Sequence, residues 1–218
     1  MKFFDRAALS KVLADGIKEL ALGLTDKQYE QLLDYLALLV KWNSVYNLTS
    51  VRDPLQMVTH HLLDSLAAVP AFAQAANVLD VGAGGGLPGI VLAIARPDMK
   101  VSLIDTVHKK TAFLKQVKAE LELANVTVYT AKVQELQVER KFDVITSRAF
   151  ADLSDFVNWS GQLLAEGGEF IALKGVAPAD EQERLPAPWQ VSDLKPLRVP
   201  GLDAERHLVF IKKSQQTE

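Results

Sequence analysis

Cysteine is absent from all 218 residues. That excludes a disulfide framework, thiol catalysis and thiolate metal sites, and it fits a cytosolic protein. Long apolar runs are missing too: no uncharged stretch reaches membrane-spanning length. Asp5, Arg6 and Lys11 interrupt the first apolar residues, so no signal peptide is expected. Positive charge is not in excess. The formal net charge is -3, so a nucleic-acid partner would need a local basic patch. Histidines 60, 61, 108 and 207 are scattered, and no metal constellation is expected. What remains is 49% hydrophobic and 23% charged, the composition of a soluble globular protein with one core and an appendage.

Two periodicities divide the chain. Up to about Phe72 the pattern is helical, with Leu9, Val12, Leu13, Ile17 and Leu20 on one face. Thr25-Asp26-Lys27-Gln28 reads as a capping box opening a second helix. Its stripe is Tyr29, Leu32, Leu33, Leu36, Leu39 and Val40, and it is expected to end near Trp42, with a polar loop from Asn43 to Val51. Asp53-Pro54 starts a third helix, an N-cap followed by a proline where the missing N–H does no harm. From Asn77 on, short branched-apolar runs alternate with helical ones: 78–81, 101–105, 126–129, 142–145 and 168–173. That alternation predicts an α/β fold with a mostly parallel twisted sheet. The late runs 189–195 and 207–211, with no helix between them, predict an antiparallel hairpin at one sheet edge. The expected organisation is a helical extension over 1–72 and an α/β domain over 73–218.

The first strand runs into Asp80-Val81-Gly82-Ala83-Gly84-Gly85-Gly86-Leu87-Pro88-Gly89 and then an apolar helix. Glycines allow a sharp turn and close approach to a ligand, and Pro88 is expected to preset a helical turn with free N–H groups. Asp105 ends the second strand, where a carboxylate can accept both ribose hydroxyls of an adenosine. Gly84-x-Gly86-x-x-Gly89 also matches the dinucleotide fingerprint, but the frame from Gly82 puts Leu87 where close helix packing wants glycine. Asp80 would bring negative charge near a pyrophosphate, whereas a sulfonium and an amino group favour it. S-adenosylmethionine is therefore the expected cofactor, with Asp80, Gly82, Gly84 and Asp105 around it.

A set of collinear blocks carries a closer resemblance. They are Lys41-Trp42-Asn43, Asn47-Leu48-Thr49, His61-x-x-Asp64-Ser65-Leu66, Asp80-Val81-Gly82, Gly86-Leu87-Pro88-Gly89-Ile90, Ser147-Arg148-Ala149-Phe150-Ala151, Ala172-Leu173-Lys174-Gly175 and Arg206-His207-Leu208-Val209. From about Leu32 to Lys212 the chain resembles the bacterial small-subunit ribosomal RNA guanine-N7 methyltransferases, also called glucose-inhibited division protein B. The resemblance implies a class I, Rossmann-like methyltransferase of the bacterial cytoplasm, expected to be a monomer. It would methylate N7 of one guanine in 16S rRNA, free or in the small ribosomal subunit, with no metal and no membrane partner. It places cofactor contacts on Gly82, Leu87, Val133, Gln134 and Arg148. His60, His108-Lys109-Lys110 and Gln134 depart from the family's usual residues.

Arg148, after the fourth strand, can clamp a phosphate or carboxylate bidentately. Arg52, Lys109, Lys110, Lys115, Lys118 and Arg206 form the candidate RNA patch. His61 and Asp64, three apart, read as a structural pair, and Trp42 and Tyr46 as packing of the extension. Guanine N7 already exposes a lone pair, so no catalytic base is expected. Two other readings share these features: a small-molecule or protein methyltransferase, and a non-catalytic RNA-binding assembly factor.

Overall fold

The computed structural model describes residues 4–148, 150 and 152–214; Ala149 and Ala151 of the block after the fourth strand lie outside them. The extension begins with α1 (Arg6–Glu19), whose N-cap Asp5 accepts from the N–H groups of Ala7 and Ala8. It continues with α2 (Asp26–Tyr46). The capping box is present: Gln28 N donates to Thr25 Oγ1 (3.3 Å), and Thr25 N to Gln28 Oε1 (2.8 Å). The helix runs a turn past Trp42 and ends where Asn47 adopts the left-handed conformation (φ 51°). Asn43 therefore lies inside the helix, buried. Its side chain accepts from Thr49 N (2.9 Å) and donates to Val51 O (3.1 Å), which pins the loop that follows.

Asp53 caps α3 (Pro54–Met57), and the chain stays helical through a π turn (Val58–Leu63), α4 (Asp64–Ala68) and a 3-10 turn (Val69–Phe72). The alternating half follows as β1 (Asn77–Val81), α5 (Gly89–Ala95), β2 (Lys100–Asp105), α6 (His108–Glu120), β3 (Val126–Thr130), β4 (Phe142–Ser147), α7 (Leu153–Ser160), β5 (Leu164–Lys174), α8 (Ala179–Glu183), β6 (Trp189–Pro196) and β7 (His207–Lys213). The sheet order is β3-β2-β1-β4-β5-β7-β6. The first five strands are parallel, and β7 runs antiparallel to both β5 and β6. Every residue of β1 is buried, as a central parallel strand with both faces covered requires.

Alternate strand residues feed two cores, following the two-residue period. Val101, Leu103, Ile171, Leu173, Leu208 and Phe210 face a cluster that also contains Leu9, Leu13, Leu32, Leu36 and Leu39 of the extension. Extension and sheet thus share one core on that face. Ile104, Phe170, Ala172, Val209 and Ile211 face the other, where Phe156 of α7 meets Phe170 edge-on with ring centroids 4.9 Å apart. Each fully buried Leu or Phe stabilises the fold by about 1.5–3 kcal/mol. Among the described residues no helix is long and apolar enough to cross a membrane.

Candidate functional site: two cavities on one wall

β1 delivers the glycine turn to the carboxyl end of the sheet. Gly82, Gly84 and Gly86 all have positive φ (69°, 55° and 91°). The N–H groups of Gly82 and Ala83 donate to Ile104 O, and Gly84 N donates to Asp105 Oδ2 at 3.0 Å. The turn is therefore tied to the end of β2. Gly89 serves close packing: a Cβ there would lie 2.2 Å from Leu103 Cδ2 and 2.7 Å from Asp80 Oδ2. The frame from Gly84, not the one from Gly82 that falls on Leu87, puts the packing glycine here.

Beneath the turn lies a cavity of about 530 Å³, lined by Gly82, Asp105, Val133, Gln134, Phe150 and Trp159 among others. Its size and its place at strand ends suit a nucleoside-bearing ligand. Asp105 Oδ1 accepts from Val107 N (2.9 Å), so the carboxylate is held rigidly with lone pairs to spare. Phe150 and Trp159 stand edge to face, centroids 5.6 Å apart, and Trp159 is 41% exposed. Neither aromatic was singled out as a cavity residue from the sequence. The signal available was a tryptophan on the helix just beyond the Ser147-to-Ala151 block.

Other predicted residues lie elsewhere. Asp80 stands behind the turn, fully buried, with Oδ2 accepting from Gly89 N at 2.9 Å. Oδ1 has no hydrogen-bond partner among the described residues. Burial pushes its carboxyl up to about 7, against the opposing effect of the Gly89 N–H. Of the N–H groups expected free at the start of α5, Pro88 has none, Gly89's is taken by Asp80 and Ile90's by Gly86 O. Leu87 is buried, and its N–H donates to Ala83 O.

Arg148 lines a second cavity, of about 330 Å³, with Val51, His60, His61, Asp64, Lys174 and Arg206 among its other walls. Here Asp64 is almost wholly buried between two guanidinium groups. Arg206 Nε donates to Oδ1 at 2.7 Å and Arg148 Nη1 to Oδ2 at 3.3 Å. Arg148 also donates to His60 O (3.1 Å). The expected His61–Asp64 pair gives way to this triad, because the arginines arrive from β4 and β7, far off in sequence. His61 turns to Thr49 Oγ1 instead (2.8 Å). Burial, with the charge of Arg148, holds its imidazole down at about 4.

The two cavities share a wall, the segment after β4. Phe150 lines the first, and its carbonyl accepts from Lys174 Nζ (3.1 Å), which lines the second. Lys174 pairs with Glu181 (2.8 Å), and Glu181 in turn accepts from Leu153 N.

The basic residues of the candidate RNA patch have different immediate surroundings. Arg52 donates to Asn43 O (3.0 Å) and Asn47 Oδ1 (2.6 Å). Lys110 lines the first cavity with Nζ 3.6 Å from Asp105 Oδ2, while Lys109 points outward. Lys115 and Lys118 border a shallow hollow with Glu122. Trp42 packs against Phe113 and Tyr46 (5.5 and 5.0 Å). Among the described residues no group of three acidic or histidine side chains could hold a metal.

A sheet of this order, with its antiparallel β7, a glycine turn after β1 and an acid closing β2, is the class I methyltransferase fold. The fold is shared with the solved DhpI–SAH complex, at 15% identity and a TM-score of 0.54 over 87% of this chain and 98% of that one. The profile of the family described as rRNA small subunit methyltransferase G matches residues 28–209. Ribosomal RNA small subunit methyltransferase G of Herminiimonas arsenicoxydans is 70% identical, over 98% of this chain and all of its own length. That of Janthinobacterium sp. (strain Marseille) is 68% identical, over 98% and 99%. The chain belongs to the rRNA small subunit methyltransferase G family.

Proposed function

We propose that this protein transfers a methyl group from S-adenosylmethionine to N7 of a single guanine in 16S rRNA, with the donor in the first cavity and the target nucleotide at the second. The observation that carries the reading is the shared wall: one short segment after β4 gives Phe150 to one cavity and Arg148 to the other. Family membership supports the rRNA substrate, and the resemblance of the motifs supports N7. The reading keeps 1–72 as the helical extension and 73–218 as the catalytic domain of a cytoplasmic monomer.

The residues present fit a cationic nucleoside. Asp105 accepts the ribose hydroxyls, Val133 and Gln134 border the base, and Phe150 and Trp159 supply aromatic surface for it. The partnerless Oδ1 of Asp80 gives the turn a buried acidic group that a nearby positive charge would favour. When bound, the donor supplies an electrophilic methyl group.

The second cavity provides placement. Arg148 and Arg206, aligned on Asp64, present planar donors suited to phosphate or to a guanine edge. N7 carries no proton, so nothing in the cavity has to remove one. His61, neutral and held by Thr49, and Asp64, held by two arginines, are engaged structurally. Rate then depends on in-line alignment of the two substrates. The charged lining disfavours a small-molecule methyltransferase, which would close an apolar pocket over its substrate. Mapping N7-methylguanine in 16S rRNA from cells with and without the gene tests the proposal. The modification should vanish at one position and return when the purified protein acts on rRNA or small subunits. An unchanged map refutes it.

A further inference from the structure

Helix α2 presents three polar side chains along one stripe. Gln28 Nε2 donates to the carbonyls of Ile94 and Ala95 (2.8 and 3.0 Å), at the end of α5. Gln31 Nε2 donates to Leu121 O (2.7 Å), at the end of α6. Tyr35 Oη donates to Gly85 O (2.5 Å). Spacings of three and four keep all three on one face. The glutamines satisfy carbonyls that helix ends leave without partners. Tyr35 differs: its acceptor belongs to the glycine turn.

The tyrosine is fully buried, and burial raises its phenol far above the usual range, so it stays a donor at any physiological pH. Its partner carbonyl is one end of the Gly85–Gly86 peptide unit. The other end, Gly86 N–H, donates to Ala83 O (2.6 Å). A peptide flanked by two glycines has little steric hindrance to rotation. Here a hydrogen bond at each end fixes it, and Leu39 closes the adjoining side, where a Cβ on Gly85 would lie 3.3 Å from Leu39 Cδ1.

We propose that Tyr35 is a positioning residue for the methyl donor: from the helical extension it locks the Gly85–Gly86 peptide, so that the turn holds its binding-competent form before the donor arrives. The inference rests on the reading that the donor occupies the cavity beneath this turn. Without the hydroxyl, Gly85 O loses its partner and the turn samples other arrangements. Donor affinity then falls by the fraction of molecules still competent.

The test is Tyr35→Phe, titrated by calorimetry with S-adenosylmethionine and S-adenosylhomocysteine. Loss of one buried hydrogen bond should weaken both by roughly tenfold. At saturating donor, kcat should stay within about twofold of wild type and the KM for 16S rRNA should not move, since the perturbed term is competence of the turn. Gln31→Leu, on the same stripe, should lower Tm and leave donor Kd unchanged. Equal donor affinity in Tyr35→Phe and wild type overturns the proposal, as does an equal loss in Gln31→Leu. Should Tyr35→Phe fail to fold, amide exchange in the wild type decides. Protection of Gly86 N–H without donor supports the lock, and exchange at an unprotected rate until donor is added overturns it. Asp105→Ala separates the two readings. Unchanged donor affinity there removes the cavity assignment, whereas a loss in Asp105→Ala without one in Tyr35→Phe removes only the role of Tyr35.

Discussion

Replacing Asp64 with asparagine keeps the shape of the side chain and removes the charge that aligns two arginines. Breaking a fully buried ion pair by deleting one partner costs about 3–5 kcal/mol. Here the arginine side chains are 28% and 25% exposed, so water relieves part of that. Arg206 Nε at 2.7 Å carries more of the interaction than Arg148 at 3.3 Å, which also has His60 O. Asparagine can keep one acceptor oxygen, for Arg206, and must turn its amide toward Arg148, donor against donor. The expected loss is about 2–3 kcal/mol, within the range for charged hydrogen bonds. For a chain of this size that is a drop in Tm of roughly 5–10 °C. Urea denaturation measures it, and a cycle with Arg206→Met should show coupling above about 1 kcal/mol. In methylation assays the KM for RNA should rise while donor Kd stays fixed. A stability change under about 0.5 kcal/mol, or a loss of donor affinity instead, would refute the clamp.

Three further outcomes are expected. Asp105→Ala should weaken S-adenosylmethionine by about 1.5–3 kcal/mol in calorimetry, the loss of a charge-assisted hydrogen bond; unchanged affinity removes Asp105 from the site. Neutralising Lys109 should flatten the salt dependence of rRNA binding and leave the donor alone, whereas neutralising Lys110, which faces Asp105, should alter donor affinity; identical effects from the two would contradict their separation on α6. Single-turnover methyl transfer with saturating donor should vary by less than about threefold between about pH 6 and 8.5, because His61, held down at about 4, does not titrate in that window, N7 needs no base, and Asp80, raised to about 7, acts on donor affinity, which saturation removes. A steep rise with pH, abolished in a His61 or Asp64 variant, would point to an exocyclic amine or hydroxyl as the target.

The strands were legible because each is a short branched-apolar run bounded by turn residues, and the starts of α2 and α3 because their caps are local in sequence. The end of α2 was not. Polar Asn43 and Ser44 look like loop, yet Asn43 is drawn into the helix by hydrogen bonds to a segment folded back on it. At the candidate site, Gly82, Asp105, Val133 and Gln134 come together at one cavity because strand order brings the carboxyl ends of β1, β2 and β3 side by side. The direction of Arg148 could not be read, since it is set by a carboxylate 84 positions away. Neighbouring Lys109 and Lys110 look equivalent in sequence, but about 100° of helix rotation separates solvent from Asp105. The role of Tyr35 is not legible because it lies beside the apolar stripe of α2, and its acceptor is a backbone atom in the next half of the chain.

The position of β7 has a consequence for how the molecule is built. It follows β6 in the chain yet lies inside it, between β5 and β6. During synthesis β5 must wait with an open edge, and β6 has no neighbour to join until roughly twenty later residues have emerged. A polypeptide interrupted anywhere in that interval carries a nearly complete fold in which β5, paired with β4 on one side, leaves its other edge open, the kind of edge that recruits other chains or a protease. The sheet is thus sealed from within, by the last strand laid down.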